Sequence, residues 1–204
     1  KIILSLYAAK ELGKRSLILV PTSLLAHQVH SKLIEARNKL DWDIKIACYH
    51  SLLTEKQKRL ELGSLGDSMI LVTTSTSIIK RPEFSQERIN VAFVDDVDSF
   101  LRRSKSIDVV LRMLNITDDI ITLVREAEKL EKEAKKLAKD NPEESKRLYM
   151  ESRRLREKAR SKVRAQVIVS GATQTARRTR RVRDLNAILG FTVGGRIEFS
   201  RRII

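Results

Sequence analysis

The chain has 204 residues, 42% of them hydrophobic, with 41 Lys+Arg against 26 Asp+Glu and a formal net charge of +15. That is enough apolar material for one large domain or one domain plus an insertion, and the basic surplus implies a polyanionic partner, nucleic acid first and an anionic membrane surface second. The single cysteine, Cys48, excludes an internal disulfide and fits a reducing cytoplasm, while no apolar run approaches the roughly 18 residues of a membrane span and no signal peptide is visible. The bland source of charge is a thermophile's surface, but a balanced one does not give so large an excess. The chain starts at Lys1 in mid-pattern, which reads as a piece of a longer polypeptide.

Residues 2 to 12 read as a helix stopped by Gly13, and SLILV (16–20) as a short buried strand. Pro21, Thr22 and Ser23 turn into a second helix over 24–40, followed by the strand IKIACY (44–49). Thr54 and Gln57 form a capping box that opens a helix over 54–62. SMILVTT (68–74) is a strand followed by a Ser/Thr-rich loop. INVAFVDD (89–96) and RAQVIVSG (164–171) are further strands, and residues 179–189 a helix ended by Gly190. Strands of four to seven Val, Ile and Leu residues alternating with helices imply an α/β domain, with a mostly parallel sheet covered on both faces. Ligands of such sheets bind at the C-terminal strand ends. The polar clusters at 21–23, 73–77, 95–98 and 170–173 all fall there.

Residues 120–163 break this rhythm. Leu123, Ala127, Leu130, Ala134 and Leu137 form one helical series, and Leu148, Ser152, Leu155 and Ala159 another. Between them Asn141 suits an N-cap, Pro142 the first turn and Glu144 the third helical position. The spacing predicts an antiparallel helical hairpin inserted into a sheet domain made of 1–119 and 164–204. Residues 125–164 carry 15 Lys+Arg against 9 Asp+Glu. Such a hairpin could bind DNA, brace a neighbouring domain or expose a solvated charged face.

The stretch VAFVDDVDSFLRRS (91–104) places Asp95, Asp96 and Asp98 at the end of a strand. Sugar hydrolysis by paired carboxylates is disfavoured in a chain only 4% aromatic. The histidines His27, His30 and His50 show no convincing ligand pairing, which speaks against a transition-metal site. Mg²⁺ fits better, because it takes few carboxylates alongside water and phosphate oxygens. An Asp ending an apolar strand is also the Walker B arrangement of nucleotide hydrolases. A chance acidic turn or a helix cap remains the plain alternative.

Four segments together resemble the superfamily 2 helicases. PTSLLAHQ (21–28) looks like motif Ia, VTTSTSI (72–78) like motif Ib, DDVD (95–98) like motif II, the DEAD box, and SGAT (170–173) like motif III. Each follows a strand, in the right order. With SFLRRSKSID, the Arg-rich 177–202 and LGFTVGGRIE, the chain is similar to the helicase-like region of the reverse gyrases, the topoisomerases of hyperthermophiles. The resemblance implies a RecA-like, P-loop NTPase type fold and the cofactors ATP and Mg²⁺. It implies that Asp95 holds the Mg²⁺ through water and that Asp96 positions the hydrolytic water. Asp98 with Ser170, Gly171, Ala172 and Thr173 would couple nucleotide state to DNA. Pro21, Thr22, Ser23 and Gln28, with Thr74 and Ser75, would bind the DNA backbone. The implied partners are DNA, a second RecA-like subdomain and a type IA topoisomerase domain.

The departures from the family pattern are specific. Asp96 stands where the DEAD box has Glu, Leu24 where motif Ia has Glu, and the motif III serine maps to Gly171 or, with a shift, to Ser170. No G-x-x-x-x-G-K-[ST] loop occurs in the sequence, so the β- and γ-phosphates lack their cradle and the isolated chain is expected to be inactive as an ATPase. Two alternatives stand beside this reading: a DEAD-like RNA helicase or remodelling ATPase, and a basic DNA-binding scaffold with a vestigial nucleotide site.

Overall fold

Runs of β-branched residues and leucine, too short for helices and apolar throughout, build the centre of the computed structural model. It describes residues 1–96, 99–100, 103–163 and 165–170. The strands are β1 (Ser16–Val20), β2 (Ile46–Tyr49), β3 (Ile70–Thr74), β4 (Val91–Asp95) and β5 (Gln166–Ser170). They form one sheet in the order β2-β3-β1-β4-β5, with every pair parallel. β1 and β3 are buried at all five positions, as strands covered on both faces must be.

The side-chain period of two divides the core. Ile18, Val20, Ile70, Val72 and Phe93 face α1 (Ile2–Lys10) and α2 (Ser23–Lys39), which contribute Leu6, Ala26, Val29 and Leu33. Leu17, Leu19, Leu71, Ala92 and Val94 face the other cluster, with Leu65 after α3 (Glu55–Gly63), Ile78 of α4 (Ser75–Lys80), Phe84 of α5 (Glu83–Gln86) and Ile107 of α6 (Ser104–Met113). Removing a side chain such as Leu71, fully buried between the layers, costs about 2–5 kcal/mol. Arg15 ties the opposite, N-terminal edge of the sheet together. Its Nε donates to Ser68 O at 2.6 Å and its backbone N–H to Asn90 Oδ1 at 2.9 Å.

The expected capping box at Thr54 and Gln57 is present. The segment after β3, expected as a loop, is instead the short helix α4: Thr74 Oγ1 accepts the Ser77 N–H at 3.1 Å and starts it. Helix α6 was not anticipated, although Ile107, Val110, Leu111 and Leu114 recur at helical spacing and are buried. The expected helix over 179–189, the Arg-rich 177–202 and residues Asp98, Gly171, Ala172 and Thr173 lie outside the described residues.

Two long helices, α7 (Asp118–Leu137) and α8 (Pro142–Lys162), follow α6 and run antiparallel. Asn141 caps α8 by accepting the Glu144 N–H at 3.1 Å, with Pro142 in the first turn. Small residues set the closest approach. Ala127 and Ala134 of α7 face Ser152 and Ser145 of α8, and all four are buried. Ser145 Oγ donates to Ala134 O and Ser152 Oγ to Ala127 O, both at 2.8 Å. Leu123, Leu130, Leu137, Leu148 and Leu155 are only partly buried and flank this seam. At the base, Ile120, Val124 and Ala159 join the core cluster of the sheet. Lys162 Nζ meets Asp119 Oδ2 at 2.6 Å there, and that bond holds the Asp119 carboxyl down to about 2.

Candidate nucleotide and nucleic-acid site

Because all strands are parallel, the ends of β1, β3, β4 and β5 open on one edge of the sheet. At the end of β1, Pro21 is half-buried, and Thr22 is extended (φ −129°) with its hydroxyl accepting the Leu25 N–H at 3.2 Å. It is the N-cap of a 17-residue helix. Ser23 Oγ lies 2.9 Å from Ser51 Oγ, and Gln28 is exposed one turn on. Uncapped N–H groups and exposed hydroxyls at a helix start suit a phosphate backbone without reading sequence. Leu24 is 62% exposed there, a large apolar side chain on a polar edge.

At the end of β3 the picture differs. Thr74 and Ser75 are both buried. The Thr74 hydroxyl is committed to capping α4 and to Ser77 Oγ at 2.9 Å, and the Ser75 carbonyl accepts Ser106 Oγ at 2.9 Å. The exposed group at this place is the Arg103 guanidinium, which donates to Thr76 Oγ1. The residues predicted for this loop therefore build its frame, and Arg103, directly after the acidic motif, presents its charge.

Asp95 ends β4 opposite Ser170 of β5 in the parallel register. Ser170 Oγ donates to Asp95 Oδ1 at 2.8 Å, and Lys1 Nζ pairs with Oδ2. Burial alone would raise the Asp95 carboxyl, but these two donors and the Lys1 charge outweigh it, so its pKa lies below the ordinary carboxylate value. Asp95 is thus an anion already satisfied by a cation and a hydroxyl. Asp96 follows in the left-handed region (φ 58°), exposed, with its Oδ1 accepting the Ser99 N–H at 3.4 Å and its carbonyl accepting the Phe100 N–H at 3.2 Å. Asp tolerates this backbone better than most residues, and such positions concentrate at functional sites. The capping role foreseen as the plain alternative is present in the geometry.

Sequence spacing did not show that the three histidines converge. The His27 and His50 rings stand 6.2 Å apart and edge-on. His50, directly after β2, is buried, and neither ring nitrogen has a partner among the described residues. Burial, then the charges of His27 and His50, holds His30 below its ordinary pKa; burial, then His27, does the same for His50. Among the described residues no group of three or more His, Cys, Asp or Glu could hold a metal. Burial pushes the Cys48 thiol up to about 12, so it is an inert core residue.

Compared with known proteins, residues 2–182 match the family described as DEAD/DEAH box helicase, a stretch that contains all four motif-bearing strand ends. The chain belongs to the DEAD/DEAH box helicase family. Its RecA-like reading agrees with the five-stranded parallel sheet. This DEAD/DEAH box chain is similar along its whole length to reverse gyrase of Pyrobaculum aerophilum, 41% identical over 214 residues that cover 100% of the chain and 17% of the relative. Reverse gyrase 1 of Aquifex aeolicus is 35% identical over 199 residues, covering 97% of the chain and 16% of that protein. Reverse gyrase of Methanocaldococcus jannaschii is 37% identical over 122 residues, covering 59% of the chain and 7% of the relative. The chain therefore spans about a sixth of the length of the first two. Among the described residues of this helicase-family chain, no helix is long and apolar enough to cross a membrane.

Proposed function

We propose that this chain is the nucleotide- and DNA-handling part of the helicase-like module of a reverse gyrase. In that role it couples ATP binding and hydrolysis to DNA binding and unwinding, while a type IA topoisomerase module of the same polypeptide or complex passes strands to give positive supercoils. A second RecA-like subdomain would complete the nucleotide site. The helices α7 and α8 are read as an insert in the sheet domain. The observation that best supports the reading is the Ser170–Asp95 hydrogen bond at 2.8 Å, which joins the third motif to the second across neighbouring strands.

The donor set fits a hard divalent cation. Asp95 offers an ionised carboxylate at a half-exposed strand end, and its second oxygen already holds an ammonium group. Mg²⁺ needs only one or two such carboxylates when water and phosphate supply the rest, and when bound it would neutralise phosphate charge. Asp95 would hold it. Asp96, displaced from the strand line by its positive φ, would orient the attacking water and take its proton. Ser170 would report on Asp95 through its hydroxyl, and Asp98, Gly171, Ala172 and Thr173 would carry that report toward DNA. Thr22, Ser23 and Gln28 would hold the DNA backbone, with Pro21 shaping the turn. Thr74 and Ser75 would serve through the backbone and helix start that they build.

The sequence contains no phosphate-cradling glycine loop with its lysine. ATP turnover by the 204 residues alone is therefore expected to be absent with or without DNA, whereas the full-length protein is expected to show DNA-stimulated hydrolysis. A coupled ATPase assay on both checks this. DNA-stimulated turnover by the isolated chain, or none by the full-length protein, contradicts the reading.

A further inference from the structure

The face of α8 that borders a groove with α7 has no part in the nucleotide edge, yet it carries an ordered row of side chains. Lys146, Tyr149, Arg153, Arg156 and Arg160 recur every three or four residues, so they share one face over about 21 Å of helix. They line a groove of about 750 Å³ beside α7. We propose that this groove is a binding site for single-stranded nucleic acid, with phosphates on the cations and a base stacked on Tyr149. The inference rests on the reading of the chain as part of a DNA motor, but it concerns a surface which that reading leaves unassigned.

The charge balance of the groove supports an anionic occupant. Its two carboxylates are already paired: Glu131 with Arg156 and with Lys135 at 3.0 Å, and Glu157 with Arg153 at 3.1 Å. Lys146 and Arg160 have no ion pair among the described residues and remain for an incoming charge. The Arg153–Glu157 pair is exposed on both sides, and such pairs contribute little, so Arg153 can exchange its partner at small cost. Arg156 also lines the groove, with its Nε buried and without an acceptor among the described residues. Tyr149 is 39% exposed and Met150 beside it 56%, so an aromatic ring and an apolar neighbour are open within the cationic row.

The aromatic selects a single strand over a duplex. Bases inside a duplex are stacked on each other and cannot reach a side chain at the backbone, whereas an unpaired base can lie on a ring. An unwinding machine creates such strands, and a cationic groove with one stacking platform holds them without sequence preference.

The test is a salt titration of full-length protein on a fluorescent oligothymidylate without nucleotide, with a blunt duplex in parallel. Lys146→Ala/Arg160→Ala is expected to flatten the log–log salt slope by about 1.4, two phosphate contacts on a single strand. Tyr149→Ala is expected to weaken oligothymidylate binding by about 5- to 150-fold, with Tyr149→Phe near wild type and duplex binding unchanged. These sites are on the surface, so wild-type far-ultraviolet circular dichroism is expected throughout. Unchanged affinity and slope in both alanine variants overturns the proposal, as does Tyr149→Phe losing as much as Tyr149→Ala. Competition at the groove by an acidic peptide but not by oligothymidylate also overturns it, in favour of a protein partner. If Ser23→Ala/Gln28→Ala weakens binding while the groove variants do not, only the groove assignment fails; if none has an effect, the motor reading fails.

Discussion

At position 96 the backbone takes φ 58°, and Asn is the one residue that shares both the tolerance of Asp for that region and a cap oxygen for Ser99. Asp96→Asn therefore changes basicity with the backbone left in place, which Asp96→Ala would not do. The histidines give a second residue-scale consequence. His30 and His50 have folded pKa values below the ordinary 6.5. As pH falls through 6.5 the unfolded chain takes up protons first, so stability is complete above that value and declines as pH drops toward the lower folded values. Urea unfolding from pH 7.5 to 5.5 is expected to show this loss, up to about 1.4 kcal/mol per pH unit for each proton. His50→Gln is expected to flatten it. An unchanged pH slope in that variant would remove His50 from the account. Neither feature was legible in the sequence: a positive φ and two ring nitrogens without partners are properties of tertiary packing. The acidity of the motif at 95 and 96 was legible, because carboxylates at the end of an apolar run are unusual wherever they fall.

Among the elements, α7 and α8 show how far periodicity reaches. The apolar spacing announced two helices, and Asn141–Pro142 announced where the second begins. The predicted series already held Ala127, Ala134 and Ser152 among its leucines; the structure makes these three, with Ser145, the close contacts and leaves the leucines on the flanks, because two backbones can approach only where side chains are small. Ser152→Ala is expected to cost about 0.5–1.5 kcal/mol, the loss of one hydrogen bond. Ser152→Leu forces the helices apart and is expected to cost about 1–3 kcal/mol. Hydrogen exchange should show faster exchange within 118–162 for the leucine variant, with the amides of β1 and β3 still protected. Equal exchange in both variants would mean the seam does not set the packing. The helix α4 escaped sequence reading for a local reason. Thr74-Ser75-Thr76-Ser77 has the composition of a turn, and only the burial of Thr74 turns its hydroxyl into a helix cap.

For the molecule as a whole, the strands, their apolar character and the α/β class followed from the sequence, since runs of Val, Ile and Leu separated by amphipathic segments admit few arrangements. Their spatial order did not follow. Parallel pairing of β4 with β5 joins residues 75 positions apart, and only that pairing places Ser170 on Asp95. The division of charge is also a whole-molecule property. Asp95 and Asp96 sit at one strand edge, and cations of α8 line the groove beside α7. The proposed function rests on Asp96 acting on water at a nucleotide held by Asp95. The decisive measurement is therefore single-turnover ATP hydrolysis by the full-length protein and its Asp96→Asn variant, with DNA present and MgATP affinity measured alongside. The account predicts that the variant binds MgATP within about threefold of wild type and hydrolyses it about 10²- to 10⁴-fold more slowly. Hydrolysis at the wild-type rate by Asp96→Asn would contradict it.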